Sequence, residues 1–388
     1  MNWLEWPSCR RPCGLASLGA LDFAYYHRLG DTAAAISITM LGWRKSGRLR
    51  MKAEPLQLRS LTNGKDKATL DLIVVGNLAY DDIITPFDRR QRVFGGSVAY
   101  AALCAVKLGQ NVGAVSKVGR DYDVNDLTLL AQAGVDMAGV KQVDGATTRF
   151  ECVYDEQENR EQRLLAACAP ILPEDIPDHY VQAKKVALLP IFDELPYQTV
   201  ARLAVGESLV CMDPQGYLRS VGWRKRVVHG AWHDRERFLA KVDVLATSLP
   251  ELKALAGTDD PGEAVRLLAG YGPQIVLVTR EGGARTGFSS FVSCEECLHE
   301  IPAIPPQAFV DPGGAGDSSA TAFFIEYERT GDVPWSALFA SAAASFVMEG
   351  FGASNFGTRD QIMARVEDFV DTHPGQPIVE VARKWLAE

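Results

Sequence analysis

The sequence predicts an α/β protein built on a mostly parallel sheet. Short continuous apolar runs recur along the chain, among them Leu72–Val75, Val186–Leu189, Leu209–Met212, Val242–Thr247 and Gln274–Thr279. Their length and composition are those of strands buried on both faces. Stretches of helical composition lie between them, and such alternation argues for βαβ units. A third observation is a small-residue loop, Asp311-Pro312-Gly313-Gly314-Ala315-Gly316-Asp317, that runs straight into a helical stretch.

The bulk numbers fit that class. The chain has 388 residues, 47% of them hydrophobic, enough for one large α/β domain or two modest ones. No run of about 18 apolar residues marks a membrane span. The net charge of −9 argues against a general nucleic-acid binder. The charge is uneven: the first 70 residues hold 11 basic and 5 acidic side chains and the rest 29 and 44, so a net +6 precedes a net −15. Such a break sets residues 1–70 apart from the globular unit. They keep no period for long and carry a basic cluster at Arg44, Lys45, Arg48, Arg50 and Lys52. Glu5, Asp22 and Asp31 argue against an acid-poor transit peptide. The expectation is a poorly ordered extension, with Met51 as the functional start. Eight cysteines scattered through apolar contexts fit reduced thiols. Cys294-Glu295-Glu296-Cys297 has half a zinc spacing and no second pair, so a surface hairpin is expected there.

In chain order, Leu72–Val75 ends in Gly76 and reads as a buried strand. Asn77–Asp82 follows at its carboxyl end, where open α/β sheets bind ligands. A carboxylate suits a polyol because it accepts two hydroxyl protons at once. Asp81 and Asp82 are adjacent candidates, and either is also an ordinary turn residue. Gly95-Gly96 precedes a helix reaching about Gly109. Val112–Ser116 reads as a strand and Val124–Gly134 as a helix. Thr147–Tyr154 and Arg160–Ala167 flank a charged turn and read as a hairpin, with Arg149 and Arg160 as substrate contacts or solvated side chains. Pro196–Val205 and Pro250–Ala256 read as helices, and Trp223–Arg237 as a solvated excursion. Glu251 stands at a helix start, a common dipole partner. An Ala-rich helix spans Pro334–Glu349, and residues 373–388 read as a tail.

The Asp311–Asp317 loop carries the chemistry. Glycines let backbone N–H groups approach a ligand, and the first N–H groups of a helix lack internal partners. The helix dipole makes that end positive, which suits a phosphate. Asp317, where loop becomes helix, is also what an N-cap looks like. An N-cap does not account for the packed small residues before it. Amides that hold charge beside a carboxylate that takes a proton suit phosphoryl transfer.

This loop resembles the C-terminal signature of the PfkB (ribokinase-like) carbohydrate kinases. The resemblance runs from about Asp71 to about Thr372. It implies a three-layer αβα sandwich with a small β-sheet lid, flanked by the 1–70 extension and the 373–388 tail. It assigns Asp317 as catalytic base and Gly314, Ala315 and Gly316 as the anion hole. Gly95 and Gly96 match the family's N-terminal turn and Asp81 its hydroxyl-binding Asp. Tyr100 replaces an Asn that contacts substrate in the family, which points to a different polyol. Ser248 and Glu251 match an Asn-x-x-Glu position whose Glu helps hold Mg2+. Thr279, Gly282 and Gly283, with Gly314 and Gly316, border the nucleotide.

The implied activity is ATP-dependent phosphorylation of a hydroxyl on a small sugar, sugar acid or cyclitol. A nucleoside kinase of the same fold and a catalytically silent nucleotide-binding regulator are the alternatives. A cytoplasmic location and a homodimer through the β lid complete the expectations.

Overall fold

The computed structural model describes residues 69–155, 160–280, 287, 289–294 and 297–387. The 1–68 part of the extension, Gly282 and Gly283 lie outside the described residues.

The elements alternate as expected. β1 (Leu72–Val75) leads through Gly76 to β2 (Ala79–Ile84) and β3 (Arg89–Gly95), then α1 (Ser97–Lys107), β4 (Val112–Val118), α2 (Val124–Ala133) and β5 (Asp136–Gln142). The hairpin follows as β6 (Thr148–Tyr154) and β7 (Arg160–Ala166). Next come β8 (Lys185–Leu188), α3 (Tyr197–Leu203), β9 (Leu209–Met212), α4 (Gln215–Leu218), β10 (Arg219–Val221), β11 (Val227–His229) and α5 (Arg235–Leu239). β12 (Val244–Ser248), α6 (Leu249–Ala256), α7 (Pro261–Ala269), β13 (Ile275–Arg280), β14 (Ser289–Cys294) and β15 (Cys297–Ile301) complete the sheet. Four helices close the chain: α8 (Ala315–Thr330), α9 (Val333–Val347), α10 (Arg359–Thr372) and α11 (Ile378–Leu386).

The nine-stranded sheet has the order β15-β14-β13-β12-β9-β8-β1-β4-β5. The strands from β13 to β5 pair in parallel, and β14 and β15 add an antiparallel edge hairpin where Cys294 and Cys297 face each other. β1 is central because each of its four side chains is fully buried, and apolar burial of that kind stabilises by roughly 1.5–3 kcal/mol per side chain. One apolar layer joins α1, α2 and α8 to α11 on one face of the sheet, and a second joins α3 to α7 on the other. The result is a three-layer αβα sandwich. From β1 the chain builds outward in both directions, so strand order reverses there. Crevices at such reversals, outside the carboxyl ends of the strands, are where open α/β sheets bind ligands.

Above those ends lies a four-stranded lid of order β3-β2-β6-β7. Two of its strands were not legible beforehand. β2 carries Asp81-Asp82 and β3 carries Arg89-Arg90-Gln91-Arg92, and charged runs of that kind look like turns. Two other expectations change. The stretch expected as a tail holds a packed helix: α11 buries Ile378, Val379 and Ala382, and Trp385 donates its indole N–H to Asp332 at 2.9 Å. The Trp223–Arg237 excursion contributes β11 and α5, with Trp232 stacked on Tyr217 at 4.4 Å while Trp223 stays exposed.

Candidate active site

The Asp311–Asp317 loop is pinned by its first residue. Asp311 is buried, and its carboxylate accepts from Gly313 N at 2.9 Å and from Gly352 N at 3.0 Å. Gly314 is the N-cap of α8 with φ +74. A Cβ there would lie 2.0 Å from a ring carbon of Tyr100, so both conformation and space require glycine. The Ala315 side chain is buried against Ala344 and Met348. The amides of Gly314, Gly316 and Asp317 have no acceptor among the described residues. These are the free donors of a helix start, in position to hold an anion.

Asp317 opens onto the cleft. Its carboxylate accepts from the Ser97 hydroxyl and, at 3.5 Å, from Gln215 Nε2. Burial pushes its pKa up, opposed by the Ser97 hydrogen bond and the Arg219 charge. Thr321 bonds back to the Asp317 carbonyl at 2.7 Å, so it disturbs nothing in the cleft.

The other end of the cleft is built on the lid. Successive side chains of a strand point to opposite faces, and this separates the two adjacent acids of β2. Asp82 faces away: Arg149 clamps it, Nη2 donating to Oδ2 at 2.6 Å and to Oδ1 at 2.8 Å and Nε to Oδ1 at 3.1 Å, and Arg92 N adds a bond at 2.9 Å. Asp81 faces the cleft, where its one donor among the described residues is the Cys152 thiol at 3.9 Å. Burial raises its pKa to about 6, with Arg160 opposing the rise and Asp311 adding to it. Its oxygens are therefore left for a ligand. Gly96 (φ +85) brings the turn against β2, where a Cβ would lie 2.6 Å from Ala79 N and Asn77 O. Tyr100 is 5% exposed and lies between the two ends. Its ring covers Gly314, and its hydroxyl, like an Asp81 oxygen, comes within 3.5 Å of where a Gly95 Cβ would be. Burial, then the Asp81 charge, holds that phenol neutral.

Asp81, Gly96, Tyr100, Gly314 and Asp317 thus line one cavity of about 90 Å3. A larger apolar cavity, about 530 Å3, lies among β3, α1, α2 and the 351–356 loop, away from Asp81 and Asp317. Among the described residues, the other expected ones do not line the smaller cavity. Glu251 accepts from Ser248 N at 2.9 Å, from Ser248 Oγ at 2.7 Å and from Thr247 Oγ1 at 3.3 Å, a capping box that starts α6. Thr279 Oγ1 donates to Thr247 O at 3.4 Å. Ser248 and Thr279 are register partners at the carboxyl ends of β12 and β13.

Arg160, Gln215 and Arg219 also line the cleft, and Asp213 stands beside Gln215. Arg160, for which the sequence left substrate contact or a solvated face open, is exposed and lines the cleft, where its charge acts on Asp81. Arg219 lies over the Phe150 ring at 5.5 Å and bonds Ile191 O at 3.0 Å. Asp213 and Gln215 follow the carboxyl end of β9. Burial pushes the Asp213 pKa well up, and the Glu251 and Asp317 charges push it further. Their signal was the one used for Asn77–Asp82: polar residues directly after a buried parallel strand.

The geometry has clear relatives. The chain is 29% identical over 266 residues to the cytidine kinase of Thermococcus kodakarensis, covering 67% of this chain and 89% of that one. It is 27% identical over 309 residues to a nucleoside kinase of Methanothermobacter thermautotrophicus, covering 73% and 90%. Among solved structures, a pyrophosphate-dependent kinase of the ribokinase family in complex with sulfate superposes with a TM-score of 0.64 at 22% identity, over 76% of this chain and 99% of that one. Residues 66–360 match the pfkB family of carbohydrate kinases. With two acids facing one cleft and a glycine-lined helix start beneath them, the chain belongs to that family and is a phosphotransferase acting on a hydroxyl acceptor.

Proposed function

We propose that this kinase uses ATP to phosphorylate a hydroxyl of a nucleoside. The observation that carries the acceptor class is the mixed lining of the cleft. Asp81 offers a carboxylate suited to the vicinal hydroxyls of a ribose. Around it stand Ile83, Phe150, Tyr154 and Ile191. A fully hydroxylated ring has little use for that apolar and aromatic surface, whereas a base has much. The named activities of the cytidine and nucleoside kinases support the same reading. It differs from the sugar or cyclitol favoured from sequence.

In this reading the acceptor oxygen attacks the γ-phosphorus of ATP, the bond to the β,γ-bridging oxygen breaks, and ADP leaves. The acceptor's proton passes to Asp317. The N-terminal amides of α8 hold the transferring phosphoryl group, whose charge they meet without reorganising. A divalent cation suits the nucleotide side. The Glu251 and Asp317 charges act on Asp213, and the Glu251 charge acts on Asp317, and Mg2+ is held by one or two carboxylates with retained waters and phosphates. Asp213 and Glu251 would hold it there, and it would neutralise phosphate oxygens. Among the described residues no group of three or more acids, His or Cys is arranged to hold a metal ion, so phosphates and waters would supply the other ligands.

The test is ADP release from ATP and Mg2+ with cytidine, uridine, adenosine, ribose and myo-inositol in turn. Stimulation by nucleosides and not by ribose or myo-inositol is expected. The reverse pattern overturns the acceptor class, and no stimulation by any acceptor favours a silent nucleotide-binding protein.

A further inference from the structure

Asp317 does not stand alone in the cleft. Gln215, from α4 after β9, reaches it at the start of α8. The stem of Gln215 is fixed by its own backbone: its N–H donates to Asp213 Oδ1 at 2.9 Å. The next residue, Gly216, donates to Pro190 O at 3.0 Å, and a Cβ there would lie 2.6 Å from that carbonyl. The side chain is fixed at its far end. Its Oε1 accepts from Arg219 Nη2 at 2.5 Å, and its Nε2 donates to Ser97 Oγ at 3.1 Å and points to Asp317 Oδ1 at 3.5 Å.

The Arg219 contact settles which way the amide faces. Arginine is a donor only, so the oxygen of Gln215 must face it. The –NH2 is then forced toward Ser97 and Asp317. A flipped amide would set an oxygen against a carboxylate and an –NH2 against a guanidinium. Arg219 is itself held by the Ile191 carbonyl on the scaffold and by the Phe150 ring on β6 of the lid.

We propose that Gln215, oriented by Arg219, is a positioning residue that aims the Asp317 carboxylate at the acceptor hydroxyl. The inference rests on Asp317 being the base. The 3.5 Å separation fits a ligand-free site, in which catalytic hydrogen bonds are long and tighten once substrate is bound. The lid reaches the base along this line, through Phe150, Arg219 and Gln215.

The experiment is steady-state kinetics on the full chain with ATP and the acceptor that the nucleoside and sugar panel identifies. The variants are Gln215→Leu, Gln215→Glu, Asp317→Asn and the double variant Gln215→Leu with Asp317→Asn. Gln215→Leu removes the donor. It is expected to lower kcat about tenfold to a hundredfold, the cost of a misplaced catalytic group, with KM for both substrates within about twofold. Gln215→Glu keeps the size, the stem and the Arg219 contact but puts an oxygen where the donor was. It is expected to lose at least as much kcat, whereas a merely structural role would be rescued by it. In the Asp317→Asn background, Gln215→Leu is expected to cost nothing further, because groups that act as a unit are not additive.

Wild-type kcat in Gln215→Glu, an equal loss in the Asp317→Asn background, or a raised acceptor KM at unchanged kcat would each overturn the positioning role. Near-normal turnover in Asp317→Asn would overturn the base assignment and this inference with it. A collapse in Asp317→Asn beside a normal Gln215→Leu would overturn this inference alone.

Discussion

Each end of the cleft holds two aspartates, and each end uses them the same way. At the lid, Asp82 is clamped by Arg149 while Asp81 is left to the cavity. At the phosphoryl end, Asp311 ties two loops together while Asp317 opens onto the cleft. One acid in each pair is tied into the wall and the other faces the cavity. The means differ. On β2 the division follows from alternation along a strand, so neighbours one residue apart suffice. At α8 the two acids are separated by a loop of small residues, because the amides between them must stay free. Residue type is therefore silent about role, and the donors around each carboxylate decide it.

The strongest way to break this symmetry is Asp317→Asn. Asparagine keeps the size and capping ability but cannot take the proton. Turnover should fall by about 10²–10⁴-fold, the usual share of a general base, with ATP affinity nearly unchanged because the amides remain. Near-normal turnover would reduce Asp317 to a cap.

Asp82→Ala should act on stability instead. It leaves Arg149 without its clamp. Breaking a buried pair costs about 3–5 kcal/mol, and the partial exposure of Arg149, at 28%, places the expected loss at the low end. Denaturant unfolding would read this, and an unaltered midpoint with a raised acceptor KM would reverse the roles of Asp81 and Asp82.

Asp81→Ala should mainly raise the acceptor KM. A hydrogen bond to a charged group contributes about 1.5–3 kcal/mol, or about ten- to a hundredfold in KM, with stability little changed. An unchanged KM would remove Asp81 from the acceptor site.

The smallest effect sharpens the comparison with pH. Burial raises the Asp81 pKa to about 6, above its ordinary value. Above that pH the group is a carboxylate and accepts hydroxyl protons, and below it the group is neutral and accepts fewer. The acceptor KM should be flat above about pH 7 and rise by up to about tenfold per unit below pH 6. Asp81→Ala should abolish that rise, and a rise that persists would assign it to another group.

What was legible in the sequence was local. β1 announced itself as an apolar run ending in glycine, and α8 as a glycine-rich loop entering a helix. Both signals lie within a few neighbouring residues. The partner of Asp82 is 67 residues away in Arg149, and Gln215 is 102 residues from Asp317. No periodicity carries such pairings. β2 and β3 read as turns because of their charged runs, although Asp82 pairs across strands with Arg149 of β6. α11 was missed for a different reason. Its buried positions 378, 379 and 382 and the stacked Trp385 follow a helical spacing, but over only nine residues.

The contact between Tyr100 and Gly314 sets unequal freedom to drift. Alanine at 314 is blocked twice, once by the ring and once by a backbone angle that side chains rarely adopt. A smaller residue at 100 lifts only the first block. Position 100 can therefore shrink while 314 stays fixed, and 314 cannot grow whatever stands at 100. Heritable change at this junction can enlarge the cleft at position 100 and leave the turn at 314 untouched. New acceptors should arise from codon 100 while codon 314 is held constant. Saturation mutagenesis scored for turnover would read this as tolerance at 100 and none at 314.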